Sequence, residues 1–86
     1  MNQQDQDGSP DMEELVEFIA KSLVDNPDEV EVRRVGGDRS LVFELEVHDS
    51  DRGRVIGRGG QTIQAMRTLL KAAAASDRKP MLEIPG

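Results

Sequence analysis

The most regular feature of the sequence is an alternation of apolar and polar residues over positions 40–47. One side of this segment carries Leu41, Phe43, Leu45 and Val47, and the other side carries Ser40, Val42, Glu44 and Glu46. A period of two predicts a β-strand with one apolar face. A second predicted strand, over residues 30–35, ends at the turn Gly36-Gly37-Asp38 just before it, so the two strands should pair as a hairpin. Other elements must then cover the apolar side of that hairpin.

Two longer segments have the spacing of amphipathic helices. In the first, apolar residues recur every three or four positions at Met12, Leu15, Val16, Ile19 and Leu23. Asp11 is its expected N-cap, and Asn26-Pro27 ends it. The second helix runs from Gln61 to about Ala75 and should bury a stripe made of Ile63, Met66, Leu70 and Ala73.

A short helix is predicted over residues 51–56, capped by Asp49 or Ser50 and ended by Gly57, and a last strand over residues 80–84. The element order is therefore helix, strand, strand, helix, helix, strand, which is an α+β fold. The last two strands are joined through two helices, and a crossover of that length makes neighbouring strands parallel. We expect a three-stranded mixed sheet with the helices packed on one face.

A chain of 86 residues supports one compact domain. We assign that domain to residues 11–86 and interpret residues 1–10, which are mostly polar, as a disordered leader. The only aromatic residues, Phe18 and Phe43, are expected in or beside the core.

Several function classes lack the residues that they need. There is no cysteine, which excludes disulfides and thiolate sites, and the one histidine, His48, has no partner for acid–base chemistry. The carboxylates show no metal-ligand spacing. We therefore predict no enzyme, no catalytic residue, no metal and no cofactor. Without a long apolar run or a secretory signal, the expected location is the cytoplasm, with no membrane insertion.

The charge is strongly partitioned along the chain. Residues 1–51 hold 15 acidic and 4 basic side chains, whereas residues 52–75 hold 5 basic side chains and no acidic one. The formal net charge of −6 argues against a polyanionic partner. Charges farther than about 10 Å from a site are largely screened, however. Binding is therefore decided by the local positive segment, and the acidity limits affinity without excluding it.

Residues 57–60, which we call the glycine loop, join the two predicted helices of this positive segment and read Gly57, Arg58, Gly59, Gly60. A helix N-terminus offers free N–H groups to an anion, and glycines let a sugar-phosphate backbone approach them closely. We expect the amides of Gly60, Gln61 and Thr62 to be available. Positive charge would come from Arg58 at the tip and from the neighbouring Arg52, Arg54, Arg67 and Lys71.

The segment Ile56-Gly57-Arg58-Gly59-Gly60-Gln61-Thr62-Ile63 resembles the I-G-x-x-G-x-x-I signature of KH domains. The element order resembles the type II, prokaryotic form of that fold. Residues 51–57, with Arg67-Thr68 and Lys71-Ala72-Ala73, resemble the small bacterial single-KH proteins of the KhpA family. The resemblance implies binding of single-stranded RNA, which the G-x-x-G loop of a KH domain clamps by its backbone. It also implies a homodimer or a heterodimer with a second KH protein of the Jag type.

The resemblance also implies roles for individual residues. Gly57, Arg58, Gly59 and Gly60 would form the backbone clamp, and Ile56 and Ile63 would anchor it. Gln61 and Thr62 would lie beside the bound backbone, and Arg54 and Arg67 would add phosphate contacts. Arg78 and Lys79 fall where type II domains have their variable loop. Glycine at position 59 departs from the usual polar or basic residue, which should loosen the loop and lower affinity.

Other interpretations of the glycine loop remain open from the residues alone. A Rossmann fingerprint would need glycine at Thr62, and a P-loop would need Lys followed by Ser or Thr, so neither nucleotide motif is present. The loop could be a turn without a ligand, and Arg52 and Lys71 could simply face solvent. The leading hypothesis is an RNA chaperone or post-transcriptional regulator. The alternative is a protein–protein adaptor that acts through KH–KH dimerisation.

Overall fold

The computed structural model describes residues 12–36, 40–74 and 79–86. Their helices and strands follow in the order α1 (Met12–Leu23), β1 (Glu31–Val35), β2 (Ser40–Glu46), α2 (Arg52–Ile56), α3 (Gln61–Ala73) and β3 (Lys79–Glu83). Single 3₁₀ turns occupy Pro27–Glu29, Asp49–Asp51 and Arg58–Gly60. The predicted element order is confirmed. The expected N-cap Asp11, the leader and Arg78 lie outside the described residues.

The sheet has the order β1-β2-β3, with β2 in the centre. β1 runs antiparallel to β2, with Val32 opposite Leu45, and β3 runs parallel to β2, with Leu82 opposite Phe43. The mixed sheet and its parallel final pair are therefore as predicted. The glycine loop lies within the crossover that joins β2 to β3.

One apolar core holds the helices against the sheet. Its buried members are Val16, Ala20, Val30, Leu41, Phe43, Leu45, Val55, Ile63, Met66, Leu70 and Leu82. Each fully buried Val, Leu, Ile, Phe or Met side chain contributes roughly 1.5–3 kcal/mol to stability through its removal from water. Since α2 and α3 contribute Val55, Ile63, Met66 and Leu70 to this core, both ends of the glycine loop are fixed to rigid elements.

The placement of two apolar residues on α1 was predicted wrongly. Phe18 is 71% exposed, because it lies two positions from both buried residues of this helix, Val16 and Ala20, and so points to the opposite side. Leu23 is on the correct side, but it is the last helical residue and is exposed at the end of the core. Phe43 is buried, as predicted.

The ends of some elements also differ from the predictions. Ala74 is extended, so α3 ends at Ala73 and not near residue 75. The turn before α2 is capped by His48, whose Nδ1 accepts a hydrogen bond from the N–H of Ser50 at 3.1 Å, and not by Asp49 or Ser50. Among the helices that the structure describes, none combines the length and apolar character needed to cross a bilayer.

Candidate functional site

The glycine loop is a single tight turn between α2 and α3. Gly57, Gly59 and Gly60 have φ angles of 79°, 62° and 78°. Positive φ is costly for residues with a Cβ atom. The three glycines are therefore required by the path of the chain, and Gly59 holds a defined left-handed conformation in open space.

Gly57 also allows a close approach to Thr62 across the turn. A Cβ atom at position 57 would lie 2.3 Å from Oγ1 of Thr62 and 2.8 Å from its backbone nitrogen. Real Cβ atoms do not come this close to other atoms, so only glycine fits here. The first turn of α3 is thereby packed directly on the entry to the loop.

The amides that are free differ from those expected. The N–H of Gly60 donates to the carbonyl of Gly57 at 3.1 Å, and the N–H of Gln61 donates to the carbonyl of Arg58. By contrast, the N–H groups of Arg58 and Gly59 have no acceptor among the described residues. Two free donors thus lie at the tip of the turn, and no carboxylate in the described parts of the chain accepts a hydrogen bond from the loop amides.

Arg58 and Gly59 are both exposed. Within the described parts of the chain, the guanidinium group of Arg58 has neither an ion pair nor a hydrogen bond. The first turn of α3 contains no acidic residue and has no side-chain cap. The loop therefore presents an unpaired positive charge beside two free amide donors.

Arg54, which was predicted to contact phosphate, is paired with acidic residues. One of its terminal nitrogens, Nη2, lies 3.1 Å from Oδ2 of Asp25, and its Nε lies 4.0 Å from Oδ1 of Asp51. Neither carboxylate was predicted to pair with Arg54. Asp25 and Asp51 are 26 residues apart in the chain, and only the fold brings both of them to this arginine. In this structure Arg54 is close to the loop in sequence, but it has a partner within the protein.

Arg67 has a partner of a different kind. Its Nε and Nη2 both donate to the carbonyl of Leu82, at 3.2 Å and 3.0 Å. The guanidinium group therefore ties α3 to β3, a structural role that sequence patterns do not show because the acceptor is a backbone atom.

The remaining predicted residues are placed as follows. Ile63 is buried, whereas Ile56 and Thr62 are half-buried and Gln61 is exposed. These four residues adjoin the loop on both sides. Farther away, Arg52 donates to the carbonyl of Pro85 at 2.6 Å, and Lys71 and Lys79 are exposed.

Asp51 is the buried charged residue of the described structure. Its carboxylate accepts hydrogen bonds from the N–H groups of Asp25 and Asn26, at 3.1 Å and 3.0 Å, and from the Asn26 side chain at 3.0 Å. Burial by itself would raise the pKa of Asp51, but these bonds and the nearby His48 together lower the pKa below its usual value of 3.8. Asp51 thus fixes the segment after α1 to the start of α2.

A separate open pocket of about 430 Å³ lies away from the loop and is rich in carboxylates. It is lined by Asp28, Glu29, Glu31, Glu46, Val47, Asp49, Arg52, Pro85 and Gly86. Its negative charge is unsuited to a phosphate backbone. No group of three or more potential metal ligands is found among the described residues.

Residues 13–84 match the sequence family described as the KH domain of KhpA/KhpB. The chain belongs to this KhpA/KhpB family. The matched segment contains every predicted site residue, from Arg54 to Arg67, and the structure supplies the α+β architecture with its three-stranded mixed sheet.

Three named relatives are similar to the chain over most of their length. The RNA-binding protein KhpA of Caldanaerobacter subterraneus subsp. tengcongensis is 52% identical over 71 residues, covering 83% of this chain and 95% of that protein. The proteins of the same name from Clostridium perfringens and Borreliella burgdorferi are 49% and 51% identical; the match covers 83% of this chain in both cases, and 95% and 88% of those proteins. These names describe RNA-binding proteins and not enzymes. No solved structure matches the chain.

Proposed function

We propose that this protein binds single-stranded RNA through the glycine loop, and that it acts as an RNA chaperone or post-transcriptional regulator. The observation that carries the proposal is the exposed Arg58, unpaired among the described residues, beside the free N–H groups of Arg58 and Gly59. Membership of the KhpA/KhpB family and the names of the relatives, which are RNA-binding proteins, support RNA as the ligand.

The geometry suggests how an RNA backbone would be held. A phosphate at the tip of the turn can accept hydrogen bonds from the two free amides while the Arg58 guanidinium neutralises its charge. The glycines leave no Cβ atom to block the sugar-phosphate chain. Ile56 and Ile63 anchor the loop, and Gln61 and Thr62 flank the bound backbone at the start of α3.

Binding by one domain of this kind should be weak and sensitive to salt. For single strands, each neutralised phosphate contributes about −0.7 to the slope of log affinity against log salt. With Arg58 and one or two further basic groups engaged, we expect a slope of roughly −1.5 to −2. The acidic remainder of the chain adds long-range repulsion at low salt.

Pairing of two domains would raise affinity by linking two weak sites. We propose that the chain forms a homodimer, or a heterodimer with a second KH protein of the Jag type. On the outer side of α3, Ala65, Leu69 and Ala72 are exposed at helical spacing, and Leu69 is 50% exposed. Light scattering on the purified protein tests the homodimer, since a mass of one chain at micromolar concentration contradicts it.

We assign the KH domain to residues 11–86, with residues 1–10 as a leader outside it, an assignment that the family match over residues 13–84 supports. The cytoplasm is the proposed location, because a regulator of bacterial transcripts must meet them there.

The decisive experiment reverses the charge at the tip of the loop. Arg58→Glu should weaken binding of a fluorescent single-stranded RNA by about ten-fold or more, equivalent to about 1.4 kcal/mol, because it repels the phosphate that the wild-type side chain attracts. Arg34→Glu is the matched control, since Arg34 is exposed on β1 and has no ion pair among the described residues. Circular dichroism should be unchanged for both variants. Equal affinities of the two variants would contradict the proposal.

A further inference from the structure

The ion pair between Arg54 and Asp25 lies close to the proposed RNA site. Arg54 is three residues before Gly57, a distance of roughly 5 Å along a helix axis. This is shorter than the screening length of about 8 Å at physiological salt. An RNA backbone on the glycine loop would therefore pass within the electrostatic reach of Arg54.

The pair is accessible to solvent and to a competing anion. The Arg54 and Asp25 side chains are 55% and 69% exposed, and their charged atoms are 3.1 Å apart. Exposed ion pairs of this type are weak. A guanidinium group binds phosphate in the same forked geometry with which it binds a carboxylate, so one anion can replace the other at little cost.

The position of Asp25 is fixed by the fold and does not depend on the pair itself. Its backbone N–H donates to the buried carboxylate of Asp51 at 3.1 Å, and Asn26 donates two more hydrogen bonds to that group. The side chain of Asp51 is 1% exposed. Asp51 thus holds Asp25 in a position where the Asp25 carboxylate meets Arg54, one helical turn before the glycine loop.

We propose that Asp25 is an intramolecular competitor of RNA: its carboxylate occupies Arg54 in the free protein and is exchanged for a backbone phosphate when RNA binds. The inference rests on the proposed function and adds to it a residue that sets affinity. Asp25 keeps the intrinsic affinity low, because a phosphate that reaches Arg54 must first displace this carboxylate.

The test is a double-mutant cycle on RNA affinity with Asp25→Asn, Arg54→Gln and the double variant. Asp25→Asn removes one charge and retains the backbone N–H that Asp51 binds. It should tighten binding about two- to five-fold, the range expected when an exposed ion pair no longer has to be broken. In the Arg54→Gln background the same substitution should change affinity less than about two-fold, which is the range within which independent substitutions are additive.

A matched control separates the local pair from the general field. Asp28→Asn removes an exposed carboxylate three residues away that has no ion pair among the described residues. It should change affinity less than Asp25→Asn does. Urea denaturation of each variant verifies that the fold is retained.

The outcomes distinguish this inference from the proposed function. If Asp25→Asn tightens binding equally with and without Arg54, or no more than Asp28→Asn does, the competitor role is wrong. The proposed function still stands in that case, provided that Arg58→Glu weakens binding about ten-fold or more. If Arg58→Glu binds RNA as well as the wild-type protein, the proposed site is wrong and the role of Asp25 is wrong with it.

Discussion

Replacing Gly57 by alanine should destabilise the protein strongly, because both its backbone conformation and its closeness to Thr62 require glycine. The φ and ψ angles of Gly57, 79° and 169°, lie in a region that only glycine populates, and an L-residue there costs about 1–3 kcal/mol. The new Cβ would also lie 2.8 Å from the backbone nitrogen and Cβ of Thr62. Overpacking of this kind costs about 1–3 kcal/mol.

Alanine also stiffens the unfolded chain, which returns about 0.4–1 kcal/mol. The net loss for Gly57→Ala is then about 1–5.5 kcal/mol, centred near 3 kcal/mol, which is a large share of the roughly 4–13 kcal/mol expected for a domain of this size. For a loss near 3 kcal/mol, the melting temperature should fall by roughly 12–24 °C. Urea denaturation followed by circular dichroism measures the free energy of unfolding directly.

Gly59→Ala is the matched control in the same loop. Gly59 also has a positive φ, but nothing lies within 4 Å of the position its Cβ would take. The left-handed conformation costs alanine about 1–2 kcal/mol, so the net loss should stay below about 1.5 kcal/mol after the unfolded-state gain. Adding Thr62→Ala to Gly57→Ala should recover part of the loss, since Oγ1 is removed and the backbone nitrogen remains. If Gly57→Ala is no less stable than Gly59→Ala, the close approach of Thr62 is not what requires glycine here.

Three further predictions concern the core, the buried carboxylate of Asp51 and the hydrogen bonds from Arg67 on α3 to β3. Phe43→Ala should cost about 3–5 kcal/mol of unfolding free energy, whereas Phe18→Ala should stay within about 0.5 kcal/mol, and urea titrations would refute the core assignment if the two losses were equal. Because folding lowers the pKa of Asp51, the charged carboxylate stabilises the fold fully well above pH 3.8, and this stabilisation is lost as the pH falls through the lower pKa of the folded state. The difference in stability between wild type and Asp51→Asn should therefore narrow below about pH 4 in acid titrations. A difference that widens would contradict the lowered pKa. Arg67→Gln removes the positive charge and the forked pair of hydrogen bonds to the Leu82 carbonyl, so the free energy of unfolding should fall by about 1–2 kcal/mol. The salt slope of RNA binding should be unchanged, and a smaller slope would show that Arg67 contacts phosphate.

The order of elements and the sheet were predictable because each segment shows a clear periodicity. The alternation through Leu41, Phe43 and Leu45 shows which side of β2 is buried. Because β2 is the central strand, the helices must pack on that same side of the sheet. The crossover through two helices then fixes the parallel pairing of β2 and β3.

Residues whose role depends on a distant partner were predicted less well. Phe18 is apolar, but its position relative to Val16 and Ala20 turns it outward. The pairing of Arg54 with Asp25 depends on how the segment after α1 packs on α2, and the bond from Arg67 ends on a carbonyl. Neither arrangement leaves a pattern in local sequence.

The glycine loop occupied a middle position between these cases. Its three glycines correctly indicated a tight turn, and the absence of carboxylates nearby in the sequence agrees with an Arg58 that has no ion pair among the residues the structure describes. The sequence could not show which amides the turn would satisfy internally. A 3₁₀ turn at Arg58–Gly60 uses the N–H groups of Gly60 and Gln61, and so moves the free donors to the tip.

The position of β3 bears on when the protein becomes functional during its synthesis. β3 is the last strand of the fold, yet it pairs with the central strand and accepts the two hydrogen bonds from Arg67 on α3. A nascent chain that has released the glycine loop but not β3 therefore lacks the support on which α3 rests. Such a chain should not bind RNA in the proposed way, so binding activity begins only once residues 79–83 have emerged and can pair with β2.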